Sequence, residues 1–116
     1  MTRKPPPPTE AETLTAIRDL LAARGFRVFR RNAGLMRATY KGKERVVRFS
    51  QKGMADLYGW HRRTGIHLEV EVKRKGREPD ALQAGWLLSA WQDGCVAFFA
   101  DSVEMAEARL DELGYV

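Results

Sequence analysis

With a single cysteine, Cys95, the chain cannot form an internal disulfide, which suits a reducing cytoplasm. Cys95 opens the apolar run Cys95-Val96-Ala97-Phe98-Phe99 and reads as a buried small hydrophobe. The two histidines, His61 and His67, have no partner at zinc-ligand spacing, so a zinc site is not indicated. No apolar run is long enough to cross a bilayer, so no membrane partner is expected. Met-Thr-Arg-Lys and four prolines at the N-terminus lack the apolar stretch of a secretory signal. No serine or cysteine sits in a recognisable nucleophile motif, so nothing points to a covalent intermediate.

What remains is ordinary for one soluble domain: 116 residues, 44% hydrophobic and 30% charged. The net charge of +5 is unevenly spread. Residues 24–77 hold sixteen Lys or Arg against four acids, whereas residues 78–116 hold Arg109 against eight acids. A basic block this dense points to a polyanion, because Lys and Arg replace the counterions of a phosphate backbone. A solvated basic face without a partner is the alternative. The four acids inside the block, Glu44, Asp56, Glu69 and Glu71, add information. A surface that only holds nucleic acid gains nothing from carboxylates, whereas a divalent cation requires them.

Residues 1–8 read as a disordered or polyproline arm, leaving 9–116 as a single domain. Thr9-Glu10-Ala11-Glu12 has capping-box form, and Leu14, Ile17, Leu20 and Leu21 make the stripe of a helix ending near Arg24-Gly25. Glu10 continues that inward stripe. Phe26 to Arg31 alternates as a strand, with Phe26, Val28 and Phe29 against Arg27 and Arg30, and Asn32-Ala33-Gly34 turns the chain. Residues 36–40 and 45–49 form a hairpin around Lys41-Gly42-Lys43. Gln51-Lys52-Gly53 turns into a strand over Met54–Trp60, and Ile66–Lys73 is the clearest strand. Asp80 caps a helix to about Asp93, on which Trp86 and Trp91 read as packing residues rather than base-stacking ones. Val96–Ala100 is a buried strand, and Ser102 precedes a last helix striped by Val103, Ala106, Leu110 and Leu113. The order predicts an α/β domain with a mixed sheet flanked by helices.

In Leu68-Glu69-Val70-Glu71-Val72-Lys73, the two glutamates and the lysine share one face of the strand. Same-face neighbours lie about 6.6 Å apart. Glu71 can therefore ligate a metal while Lys73 reaches the same phosphate or attacking water. An exposed face of Glu–Lys pairs would read the same way. Asp56, in Gly53-Met54-Ala55-Asp56-Leu57, stands at a strand's start, where an Asp often only ends a turn. Together, however, Asp56 and Glu71 supply the one or two carboxylates that Mg²⁺ takes from protein.

Asp56 followed by Glu71-Val72-Lys73 resembles the catalytic signature of PD-(D/E)XK nucleases, and the chain is similar to the virus-type replication-repair nuclease (VRR-NUC) family within them. The likeness runs over residues 9–102 and includes Glu10, Arg30, Asn32-Ala33-Gly34, Gly53 to Leu57, Leu68 to Lys73, Gln83, Trp86-Leu87 and Gly94. Ala55 stands where the superfamily name has Pro, and Glu69 is a second acid two residues before Glu71. The resemblance implies a restriction-endonuclease-like αβββαβ core with an extra C-terminal helix. It implies an Mg²⁺- or Mn²⁺-dependent DNA endonuclease of the Holliday-junction-resolvase type, a homodimer acting on branched or other structured DNA in a bacterial or phage-infected cell.

Carried over, Asp56 and Glu71 are metal ligands, joined by the backbone carbonyl of Val72. Lys73 positions the attacking water. Glu10 completes the site or serves only as a helix-dipole carboxylate. Gln83 reaches Lys73 or the scissile phosphate, or is a polar residue at a packed edge. Glu69 supports the ligands from behind. Arg30, Arg31, Lys52, Arg74, Lys75 and Arg77 flank the site and are candidates for DNA-backbone contacts. Two rivals stay open: a nucleic-acid-binding module without catalysis, and a nuclease acting on RNA.

Overall fold

Local signals set most element ends. The Thr9 hydroxyl accepts from the Glu12 amide and the Glu12 carboxylate accepts from the Thr9 amide, which starts α1 (Glu10–Ala23). Arg24 caps its C-terminus, and Gly25 follows at φ +94, a left-handed conformation that disfavours other residues. Asp80 and Gln83 form the same reciprocal box at the start of α2 (Ala81–Gln92). The Ser102 hydroxyl caps α3 (Val103–Glu112).

The structure, a computed structural model, describes residues 3–31, 35–48 and 52–116. Its strands are β1 (Phe26–Arg30), β2 (Leu35–Tyr40), β3 (Lys43–Arg48), β4 (Leu57–His61), β5 (His67–Val72) and β6 (Val96–Ala100). Four of them make a mixed sheet in the order β1-β4-β5-β6, with β5 and β6 parallel and the other pairs antiparallel. The parallel pair needs a crossover, and α2 supplies it. Among the described residues, strands β2 and β3 pair only with each other, through a two-residue turn in which Lys41 (φ 51) and Gly42 (φ 74) are both left-handed. This hairpin is an insertion between the first two core strands. Without it, the order α1-β1-β4-β5-α2-β6 is the expected αβββαβ, followed by α3 as the extra helix. The predicted turn at Asn32-Ala33-Gly34, and Gln51 of the next one, lie outside the described residues.

Helices α1 and α3 cover one sheet face. Ile17, Leu21, Ala106 and Leu110 interlock there with Phe26, Leu57, Leu68, Val70 and Val72. Helix α2 lies across β5 and β6 on the opposite face. Gly59 allows β1 and β4 to approach closely, because a Cβ there would sit 1.7 Å from the Arg27 carbonyl oxygen.

Four expectations are corrected by packing. Phe29 does not join Phe26 and Val28 in the core; strand alternation turns it to the other face with Arg27, and it is 44% exposed. Glu10 is exposed rather than inward, because the α1 stripe begins to be buried only at Thr13. Trp91 is 50% exposed and Cys95 only half-buried.

Candidate active site

The second strand of the proposed site begins one residue later than its acid. Asp56 precedes β4, with its carbonyl accepting from the Arg31 amide at 2.7 Å. The β4–β5 ladder ends where Leu57 pairs with Val70, so Val72 extends beyond it. The Val72 amide is taken up instead by the Asp56 side chain, whose Oδ2 accepts from it at 2.9 Å. An extended residue points its N–H and C=O to the same edge. The Val72 carbonyl therefore faces the Asp56 side, while the Val72 side chain is wholly buried in the core.

Glu69 and Glu71 are nearly inaccessible, at 1% and 2% exposure, yet their surroundings differ completely. Arg31 grips Glu69 through Nη1 at 2.7 Å and Nη2 at 3.0 Å. Trp86 Nε1 donates to it at 2.6 Å, and His67 Nε2 lies 2.5 Å from its Oε2. Burial works to raise the Glu69 carboxyl, but these hydrogen bonds and the Arg31 charge outweigh it and hold the carboxyl below its usual range. Arg31 is equally committed. It also donates to the Ala55 carbonyl at 2.9 Å and lies 4.5 Å from the Tyr58 ring centroid.

Glu71 Oε2 is buried with no hydrogen-bond partner. Burial, then the neighbouring Asp56 carboxylate, pushes the Glu71 carboxyl up to about 9; Lys73 opposes this and Glu10 adds to it. Asp56, Lys73 and Glu10 all converge electrostatically on Glu71, from a loop, the end of β5 and the first residue of α1. Lys73 is half-buried, its amide donating to the Ala100 carbonyl of β6 at 2.9 Å. Among the described residues, no three His, Cys, Asp or Glu side chains form a ligand cluster. The centre is a carboxylate pair with a backbone carbonyl beside it, and Glu10 lies outside that pair.

These groups fit a divalent cation. A buried carboxylate oxygen without a partner, next to a second carboxylate, is a cost that either a proton or a cation relieves. Mg²⁺ and Mn²⁺ are hard ions that take oxygen donors of this kind.

Gln83 is half-buried at the start of α2, where its Oε1 accepts from the Asp80 amide at 3.0 Å. Arg30, Lys52, Arg74, Lys75 and Arg77 are exposed. Arg31 is not presented to solvent in the same way, with a side chain only 13% exposed. Sequence reasoning passed over Trp86 and His67 as partners of Glu69. Their alternation and helical position signalled which face they take but not which group they meet.

No family model matches the sequence, and no curated protein matches it. A solved structure described as a VRR_NUC domain is similar over 91% of this chain and 97% of its own, with a TM-score of 0.62 and 21% identity. By that likeness the chain has the fold of a VRR_NUC domain.

Proposed function

We propose that the protein is a metal-dependent endonuclease that hydrolyses phosphodiester bonds of DNA. The observation that carries this reading is the partnerless, buried Oε2 of Glu71 beside Asp56, with Lys73 on the same strand face. Asp56, Glu71 and the Val72 carbonyl would hold Mg²⁺ or Mn²⁺, with Glu10, whose charge bears on Glu71, as the further acid, directly or through water. A bound cation supplies Lewis-acid polarisation of the phosphoryl oxygen and stabilises the departing alkoxide. Asp56 is kept in place by the Val72 amide. Lys73 holds the attacking water by a charge-assisted hydrogen bond and favours its loss of a proton. With Gln83 Oε1 occupied at the helix start, the Gln83 amide group is left to donate to the scissile phosphate. Exposed Arg30, Lys52, Arg74, Lys75 and Arg77 contact the backbone, whereas Arg31 and Glu69 pair beside the site and brace β5. A homodimer would present two such sites, as paired incision of a four-way junction requires.

The test is a cleavage panel of duplex, flap, single-stranded and four-way-junction DNA with Mn²⁺, run beside RNA of matched structure. Wild type should cut at least one DNA, and Glu71→Gln should cut none while binding DNA as well or better. A wild type that binds but never cuts would leave a binding module; cutting confined to RNA would transfer the assignment to that substrate.

A further inference from the structure

The sheet face that carries Asp56 and Glu71 continues beyond them as an uncovered aromatic surface. In register across β1, β4 and β5, the same-face rows are Arg31, Asp56 and Glu71, then Phe29, Tyr58 and Glu69, then Arg27, Trp60 and His67. Helix α2 packs on β5 and β6, and among the described residues no helix packs on the β1–β4 half of the face. Phe29 is 44% exposed and Trp60 40%. Their ring centroids are 5.6 Å apart, and Phe29 is 5.7 Å from Tyr58. Arg31 closes the inner end of this ladder over Tyr58.

Single exposed apolar residues are ordinary on a protein surface. Here two large aromatics touch each other on the face of a candidate active site, and their surroundings have one sign of charge. On β1, Arg27 shares the row of Trp60, and Arg62 and Arg63 follow β4, all exposed. The acid in the middle row, Glu69, is buried and paired with Arg31. Accessible π-faces within a positive rim suit a polyanion whose bases are free to stack. A duplex keeps those base faces inside its own stack.

From this we infer that Phe29, Tyr58 and Trp60 form a stacking platform for unpaired nucleotides of the DNA strand running from the Asp56–Glu71 pair. The inference rests on the nuclease reading for its direction and adds a substrate class: DNA with a single-stranded segment beside the cut. Trp60 lies two rows from the carboxylate pair, about 13 Å at the strand rise. That distance corresponds to about four nucleotides at B-form spacing, fewer if the strand is stretched.

Binding is measured on the metal-free full chain in EDTA, by anisotropy of a labelled oligo-dT strand and of a duplex of equal length. Trp60→Ala and Phe29→Ala should each weaken single-strand binding by about fivefold or more, with duplex binding changed by less than about twofold. Trp60→Phe, which keeps a stacking ring, should restore most of the loss. The same melting temperature in all variants would show that the fold is intact. Single-strand affinity indifferent to both alanine variants would overturn the platform. So would a Trp60→Ala protein that turns from dimer to monomer with unchanged affinity, since a second copy would then cover this face. Failure of the nuclease reading looks different: Trp60-dependent binding would persist in a protein that never cuts.

Discussion

Replacing Glu71 by Gln should make the metal-free protein more stable at neutral pH while removing its hold on divalent cations. The Glu71 carboxyl is pushed up to about 9, first by burial and then by Asp56, against 4.5 for a free glutamate. In the window between those values the folded state keeps a proton that the unfolded chain has released. Stability is therefore greatest below the lower value and falls as pH rises toward the upper one. The slope is about 1.4 kcal/mol per pH unit, so the step from about pH 5.5 to about pH 7.5 costs about 3 kcal/mol. Gln has the shape of the protonated acid and can keep donating to Asp56, but it has no proton to lose. Urea melts in EDTA at both pH values isolate the effect as a difference of differences. Wild type should lose about 3 kcal/mol relative to Glu71→Gln on going to the higher pH. Parallel behaviour of the two proteins would refute the claim that Glu71 is a buried acid short of partners. The same logic fixes the metal response: Mn²⁺ should stabilise wild type more at the higher pH and leave Glu71→Gln unchanged. Calorimetry in buffers of different ionisation enthalpy should show about one proton released per ion bound.

Removing Glu69 strands the Arg31 guanidinium in a largely buried setting, so Glu69→Ala should cost about 3–5 kcal/mol in a urea melt. Arg31→Ala should cost a similar amount, and the double variant much less than the sum; additive losses would mean the pair is not a unit. Gly59→Ala drives a Cβ into the Arg27 backbone, where no flexible side chain can yield, and should cost more than about 4 kcal/mol. A wild-type melting curve for that variant would disprove the close approach of β1 and β4. Gln83→Glu keeps an acceptor for the Asp80 amide but loses the amide donor. It should melt like wild type and cut about tenfold or more slowly, whereas unchanged cutting would confine Gln83 to starting α2.

Features that depend on a few neighbouring residues were legible without the structure. The Thr9–Glu12 box, the Asp80 and Ser102 caps and the Val96–Ala100 strand fall where their local chemistry places them. The order of core elements follows from the same signals. Beyond the Lys41-Gly42 hairpin, pairing was not legible, because alternation tells which residues share a face and not which strand lies alongside. Hence the hairpin of β2 and β3 could not be recognised as a separate sheet. Nor could Phe29, one residue out of step with Phe26 and Val28, be placed on the open face from hydrophobicity alone.

Glu69 and Glu71 show most clearly where sequence reasoning stops. They are the same residue type, on the same face of the same strand, and both almost completely buried. Desolvation acts on both in the same direction, so it cannot explain why one is held below the usual carboxylate range and the other far above it. The difference comes from partners remote in the chain. Arg31, 38 residues earlier, and Trp86, 17 later, fill the lone pairs of Glu69, while Glu71 meets a second acid and keeps one oxygen unfilled. A carboxylate whose hydrogen bonds are complete has nothing left to offer a cation; one that lacks them gains by accepting it. The supporting acid and the proposed ligand are thus distinguished by what the fold brings to each. Exchanging those surroundings, rather than exchanging the glutamates, is what would exchange their roles.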